Sequence, residues 1–109
     1  MAATPMVVGI LQVELMIAQS YSLKDKRRVV ASIKDRLHRE HQVSVAEVDR
    51  LDDPGVAVLG ITLASGSVPH CQSMLDRIVE RLRLERDCVL ADHSTQVLTG
   101  QDPASWEEP

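Results

Sequence analysis

Seven of the twelve lysines and arginines in this chain lie between Lys24 and Arg39. Only two carboxylates, Asp25 and Asp35, share that segment, which gives it a formal charge of +5 in a chain whose net charge is −4. Cations at this density neutralise several phosphates of an RNA backbone. Because the rest of the chain is acidic and repels a polyanion, we expect one docked contact with a large RNA or ribonucleoprotein, and not indiscriminate binding.

Four of these cations fall in the first two turns of a predicted helix, where free backbone N–H groups bind anions. The residues that we expect to bind RNA or another anion are Lys24, Lys26, Arg27, Arg28 and Lys34. Lys26 precedes Val30 by four residues and Ile33 by seven, which places it within the apolar stripe of the helix. Two arrangements are open to this lysine. Its aliphatic stem covers the edge of the sheet, or its ammonium is exposed at the opening between the helix and a strand. The alternative is a solvated helix face that binds nothing.

The residue types of a hydrolytic triad occur together at Asp92-His93-Ser94. Consecutive residues of a strand point to opposite faces of the sheet, so these three side chains cannot converge as a triad does. Gly66 precedes a predicted helix without a phosphate-loop pattern around it. No enzyme site emerges from the sequence, and we expect a non-enzymatic binding protein with no cofactor.

Two weak metal-binding patterns are present. His38 and His41 stand three residues apart near a helix end, although surface histidines are far more often free of metal. Glu47 and Asp49 would share one face of a strand near an acidic turn, where a weak divalent-cation site is conceivable. Such a cluster of carboxylates is more often an acidic turn that binds no metal, and we predict no metal site.

Cys71 and Cys88 lie seventeen positions apart, each on an apolar pattern. This spacing fits no metal site, and it favours buried free thiols in a reducing cytosol over a disulfide. The longest apolar run, 6–13, is too short to span a bilayer, and the N-terminus lacks the basic start of a signal peptide. We therefore expect a cytoplasmic protein.

The hydrophobic period changes from two residues to 3.6 and back, twice, along the chain. It predicts strands over 6–17, 43–48, 56–64 and 88–98, with helices over 23–40 and 68–84. The order βαββαβ with right-handed crossovers is an α+β, ferredoxin-like sandwich, in which a four-stranded antiparallel sheet carries both helices on one face. Residues 1–99 form this single domain, and 100–109 is predicted to be a flexible acidic tail.

The second face of the sheet has no helix left to cover it. Its two central strands contain no aromatic residue, so RNA bases cannot stack on the sheet as they do in RRM domains. The face is moderately apolar, which is typical of a contact between two identical subunits. The residues that we predict at this dimer interface are Val8, Ile10, Val58 and Thr62.

Three segments resemble the YlxP-like family, a small bacterial domain of unknown function. They are S-L-K-D-K-R-R at 22–28, V-S-V-A-E-V-D at 43–49 and A-V-L-G at 57–60. The resemblance covers residues 6–98 and implies a ferredoxin-like fold, a homodimer and a gene found among translation and ribosome-maturation genes. Two hypotheses follow: a factor that docks its basic helix on ribosomal RNA, or a homodimeric module that binds a protein or a small anion.

Overall fold

The chain folds in the predicted order β-α-β-β-α-β, which confirms the α+β ferredoxin-like class. A computed structural model describes residues 6–99, so the acidic tail predicted for 100–109 lies outside the described residues. The elements are β1 (Val7–Ile17), α1 (Leu23–Glu40), β2 (Ser44–Asp49), β3 (Val56–Ser65), α2 (Val68–Arg83) and β4 (Cys88–Thr99). Each begins and ends within about two residues of its predicted bounds.

The four strands form one antiparallel sheet in the order β2-β3-β1-β4. β1 and β3 occupy the centre, and their alternate residues face the two helices, where Leu11, Val13 and Ile61 are fully buried. The other residues of the central strands lie on the open face of the sheet. β2 and β4 are the edge strands, and each carries a register shift opposite its neighbour.

The core between the sheet and the helices is aliphatic, as the near absence of aromatic residues requires. α1 contributes Val30, Ile33 and Leu37 at the spacing of one helix face. The residues that α2 buries are Cys71, Leu75, Ile78, Val79 and Leu82. Both cysteines are free and buried, as predicted. Within residues 6–99, no helix is long and apolar enough to cross a membrane.

Gly9 of β1 allows α2 to approach the sheet closely. A Cβ built on Gly9 would lie 2.6 Å from Cys71 Sγ and 3.2 Å from Leu75 Cδ1, both in α2. No carbon atom fits at the first of these distances. Glycine at this position therefore sets how deeply α2 packs onto β1.

Candidate RNA-binding surface

The start of α1 is fixed by a local hydrogen-bond network. The Ser22 hydroxyl accepts the backbone N–H of Asp25 at 3.1 Å and thereby caps the N-terminus of the helix. The Asp25 carboxylate in turn accepts the backbone N–H of Tyr21 at 3.1 Å, one residue before the N-cap. This carboxylate already provides negative charge at the positive end of the helix. The cations of the first two turns, and not the helix terminus alone, therefore determine whether an anion is attracted here.

The solvent-facing side of α1 carries most of the helix's positive charge. At 100° per residue its cations span an arc of about 140°, and they extend about 22 Å along the helix axis. We call this set the basic face; its members are Lys24, Arg27, Arg28, Lys34 and Arg39. Lys34 is half-buried and the other four are exposed. Asp35 is the one carboxylate on the same arc, so the face as a whole is strongly positive.

Ion pairing separates the basic face from the other cations of the molecule. Within residues 6–99, five of the twelve lysines and arginines form ion pairs, and none of these five belongs to the basic face. The two remaining cations of α1, Lys26 and Arg36, are both paired. Outside α1, only Arg77 and Arg86 of this part of the chain are without an ion pair. Five of the seven unpaired cations are therefore gathered on one helix face.

Lys26 does not belong to that surface, because it is fully buried at 0% exposure. Its ammonium donates hydrogen bonds to the carbonyl oxygens of Arg50 at 2.8 Å, Leu51 at 3.2 Å and Val56 at 3.2 Å. The carboxylate of Glu47 lies 2.7 Å from the same nitrogen. Four oxygen atoms thus surround the ammonium, and we call them the lysine cage. Lys26 offers no surface to an RNA phosphate, so its expected role in anion binding is replaced by a structural one.

Glu47 reaches the lysine cage from β2, which has a bulge at the next residue, Val48. The register pairs Glu47 with Leu59 and then Asp49 with Val58, which skips one residue of β2. Glu47, opposite the core residue Leu59, lies on the helix side of the sheet, and the bulge places Asp49 on the open face. The suggestion that these two carboxylates share a face and form a divalent-cation site is wrong for this reason.

A second ion-pair cluster joins the two helices. Arg36 of α1 donates to the carboxylate of Glu85 at 2.7 Å, and Glu85, in the loop after α2, is itself buried. Arg81 of α2 donates to Glu40 of α1 at 3.1 Å and lies 3.9 Å from Glu85. Arg36 is thus a structural cation, a role that its spacing in the sequence does not reveal.

An acidic middle divides the open face of the sheet: exposed Met16 and Val89 lie on one side of it, and the area that we call the apolar end lies on the other. The apolar end consists of Met6, Val8, Ile10 and Leu98, of which Met6 and Leu98 are 46% and 44% exposed. Val8 and Ile10 are half-buried, and the adjacent Thr62 is exposed. Three of the four predicted interface residues therefore lie at or beside the apolar end.

Val58, the fourth predicted interface residue, lies instead in the acidic middle of the face. The register sets it between Glu14 of β1 and Asp49 of β2, and Asp92 of β4 pairs with Glu14 on the other side. Its own side chain is only 6% exposed. Val58 therefore offers little surface to a second subunit, and the three carboxylates make this row unattractive to RNA phosphates.

The side chains of Asp92, His93 and Ser94 do not converge. Asp92 pairs with Glu14 and Ser94 with Gln12, both on the open face, whereas His93 pairs with the core residue Val13. Within residues 6–99, no group of three or more His, Cys, Asp or Glu side chains is arranged to hold a metal ion.

A groove of about 750 Å³ lies between the end of α1 and the exposed side of α2. Its lining mixes Glu40, Asp76 and Glu80 with Arg77 and Arg81. Arg81 is already paired with Glu40. The groove presents no single sign of charge, and the basic face remains the most strongly charged surface of the described chain.

Comparison with known protein families places the chain in one family. The family model described as "Protein of unknown function (DUF503)" matches residues 8–95, which include all six elements apart from the first residue of β1 and the last four residues of β4. The chain belongs to the DUF503 family. No curated protein matches this DUF503 chain. The family match covers α1 with the whole basic face and the lysine cage, while the finer resemblance to the YlxP-like family stays a prediction.

Proposed function

We propose that this DUF503 protein is a non-enzymatic, cytoplasmic RNA-binding protein that docks the basic face of α1 on ribosomal RNA. The observation that carries the proposal is that the cations of one helix fall into two groups, one held in ion pairs within the protein and one unpaired on its surface. Lys26 and Arg36 are turned inward and neutralised by Glu47 and Glu85. The five cations of the basic face have no carboxylate partner within residues 6–99, so their charge is available to phosphates.

The position of these cations on the helix also favours the binding of an anionic ligand. Lys24 lies in the first turn of α1, where the helix macrodipole disfavours a cation by some tenths of a kcal/mol. A face that serves solubility alone gains nothing from this placement. The acidic middle of the open sheet face repels RNA from the opposite side of the molecule, which leaves α1 as the docking surface.

The test compares two matched double variants, Arg27→Gln/Arg28→Gln on the basic face and Arg77→Gln/Arg86→Gln outside it. All four side chains are exposed and unpaired in the described chain, so both variants remove two charges without removing an ion pair. Each protein is sedimented with purified ribosomal subunits, and its affinity is measured between 50 and 200 mM salt, the range over which phosphate contacts weaken.

If all five cations of the basic face meet phosphates, wild-type affinity should fall by about 130- to 500-fold over this salt range. The Arg27→Gln/Arg28→Gln variant should bind more weakly and lower the slope of log affinity against log salt by between about 1.4 and 1.8. The Arg77→Gln/Arg86→Gln variant should bind like wild type. Equal binding by all three proteins at low salt would refute the proposal.

The open face of the sheet favours a second proposal, a homodimer that forms through the apolar end. Met6, Val8, Ile10 and Leu98 form one exposed apolar area on a sheet face that no element of the described chain covers. Such an area is typical of an isologous contact between identical subunits. A homodimer is compatible with RNA binding, because the basic face lies on the other side of the sheet. If the RNA-binding test fails, the alternative is a homodimeric module that binds a protein or a small anion.

A further inference from the structure

Tyr21 is the most exposed large apolar side chain of the described residues, at 86% exposure. The chain has no phenylalanine, and its other aromatic residue, Trp106, lies outside the described residues. The core between sheet and helices contains no aromatic side chain. The one aromatic ring in residues 6–99 is thus left in water, although burying it would remove some 150 Å² or more of its surface from solvent.

The backbone at Tyr21 is fixed in spite of this exposure. Its N–H donates to the Asp25 carboxylate at 3.1 Å, and the next residue, Ser22, caps α1. The Ser20 hydroxyl donates to the carbonyl oxygen of Ser22 at 3.2 Å. These bonds attach the residue directly to the first turn of α1, three residues before Lys24. Tyr21 therefore adjoins the N-terminal end of the basic face.

We infer that Tyr21 stacks on an unpaired RNA base while Lys24, Arg27 and Arg28 contact the phosphates beside it. This inference rests on the proposed function and narrows its ligand to RNA with an unpaired base next to the docked backbone. An exposed aromatic ring beside a strip of cations is the combination that binds single-stranded nucleic acid, because the ring takes the base and the cations take the backbone. The bases of a continuous duplex are stacked on one another and offer no face to the ring.

The experiment uses three labelled RNA probes of equal length: a 12-nucleotide oligouridine, the same sugar-phosphate backbone without bases, and a 12-base-pair duplex. The variants are Tyr21→Ala, Tyr21→Phe as the matched control that keeps the ring, and Arg27→Gln/Arg28→Gln. Affinities are measured by fluorescence anisotropy at low salt. Because Tyr21 is exposed, both tyrosine variants should keep the wild-type melting temperature.

Tyr21→Ala should weaken oligouridine binding by about 5- to 150-fold, the range for loss of one base–aromatic stack. The same variant should bind the abasic backbone and the duplex like wild type, and Tyr21→Phe should match wild type on all three probes. Arg27→Gln/Arg28→Gln should weaken binding to every probe, because all three carry phosphates.

Two outcomes overturn the inference in different ways. If Tyr21→Ala binds oligouridine as tightly as wild type while Arg27→Gln/Arg28→Gln does not, base stacking is refuted and the proposed RNA-binding function stands. If neither variant loses affinity for any probe, the proposed function is refuted together with the inference. An equal loss on oligouridine and on the abasic backbone would also refute stacking, because the ring would then act without a base.

Discussion

The ammonium of Lys26 lies 2.8 Å from the carbonyl oxygen of Arg50, a residue with a positive φ of 55°. Non-glycine residues adopt this left-handed conformation only rarely, and contacts with the surrounding structure stabilise it where it occurs. The hydrogen bonds from Lys26 to Arg50 and Leu51 provide such a constraint at the β2–β3 turn. The lysine cage thus ties the second turn of α1 to a loop more than twenty residues away in sequence.

Replacement of Lys26 by methionine should destabilise the protein strongly. Lys26→Met keeps most of the stem volume but leaves the Glu47 carboxylate and three carbonyl oxygens without the ammonium. Removing one partner of a buried ion pair costs about 3 to 5 kcal/mol, which urea denaturation would measure as a lower free energy of unfolding. Arg28→Met, in the same helix but exposed, should change that free energy by no more than about 0.5 kcal/mol. Equal stability of the two variants would contradict the structural role of Lys26.

Substitution of Gly9 by alanine should destabilise the contact between β1 and α2. The new Cβ would meet Cys71 Sγ at 2.6 Å, so the cysteine side chain or the whole helix has to shift, and overpacking of this kind costs about 1 to 3 kcal/mol. Thermal denaturation should show the loss for Gly9→Ala, and the double variant Gly9→Ala/Cys71→Ala should recover part of it. Gly66→Ala is the control, because a Cβ there meets no atom within 4 Å. A melting temperature that Gly9→Ala leaves unchanged would argue against the close approach.

Stability should fall at alkaline pH through Cys88. Burial, followed by the negative charges of Glu85 and Asp87, raises the pKa of the Cys88 thiol from 9.0 to about 11. The unfolded chain loses this proton first as the pH rises. The thiol's contribution to stability is therefore complete below pH 9 and is lost between pH 9 and about 11. Unfolding free energies across this window should decline less steeply for Cys88→Ala than for wild type, and parallel curves would contradict the prediction.

A charge at the apolar end of the open face should abolish the proposed homodimer. Ile10→Glu places a carboxylate among Met6, Val8 and Leu98, where a second subunit would have to desolvate it. Light scattering should give about twice 12.1 kDa for wild type and the monomer mass for Ile10→Glu. Gln12→Glu adds the same charge two residues along the same face, outside the apolar end, and should stay dimeric. A wild-type protein that is monomeric at high micromolar concentration would exclude this dimer.

Local patterns were sufficient to predict the fold. The alternation of apolar residues in β1 and the spacing of Cys71, Leu75, Ile78 and Leu82 in α2 depend on neighbours within one element, and the sequence displays them directly. The Ser22 cap is equally local, because its partner Asp25 is three residues away. Element order and handedness then leave few topologies to choose from.

The lysine cage could not be predicted from local patterns, although one feature of the sequence pointed to it. Lys26 falls at a buried position of the helix pattern, but its three carbonyl partners come from the β2–β3 turn and the start of β3, 24 to 30 residues later. A lysine is expected to be exposed to solvent. Only the tertiary structure brings together the hydrogen-bond acceptors that allow this one to be buried. The bulge in β2 is more visible in the sequence, because Val43 and Val45 follow the alternation of a strand and Val48 breaks it.

The two structural cations of α1 also control how the helix can turn about its own axis. Lys26 is tied to the β2–β3 turn and Arg36 to Glu85, at points about 15 Å apart along the helix. Two attachments at that separation prevent the helix from rolling on the sheet. The backbone positions of the cations that face solvent are consequently set before any ligand arrives, and only their side chains lose freedom on binding. That limits the entropic penalty of association to the rotamers of a few long side chains.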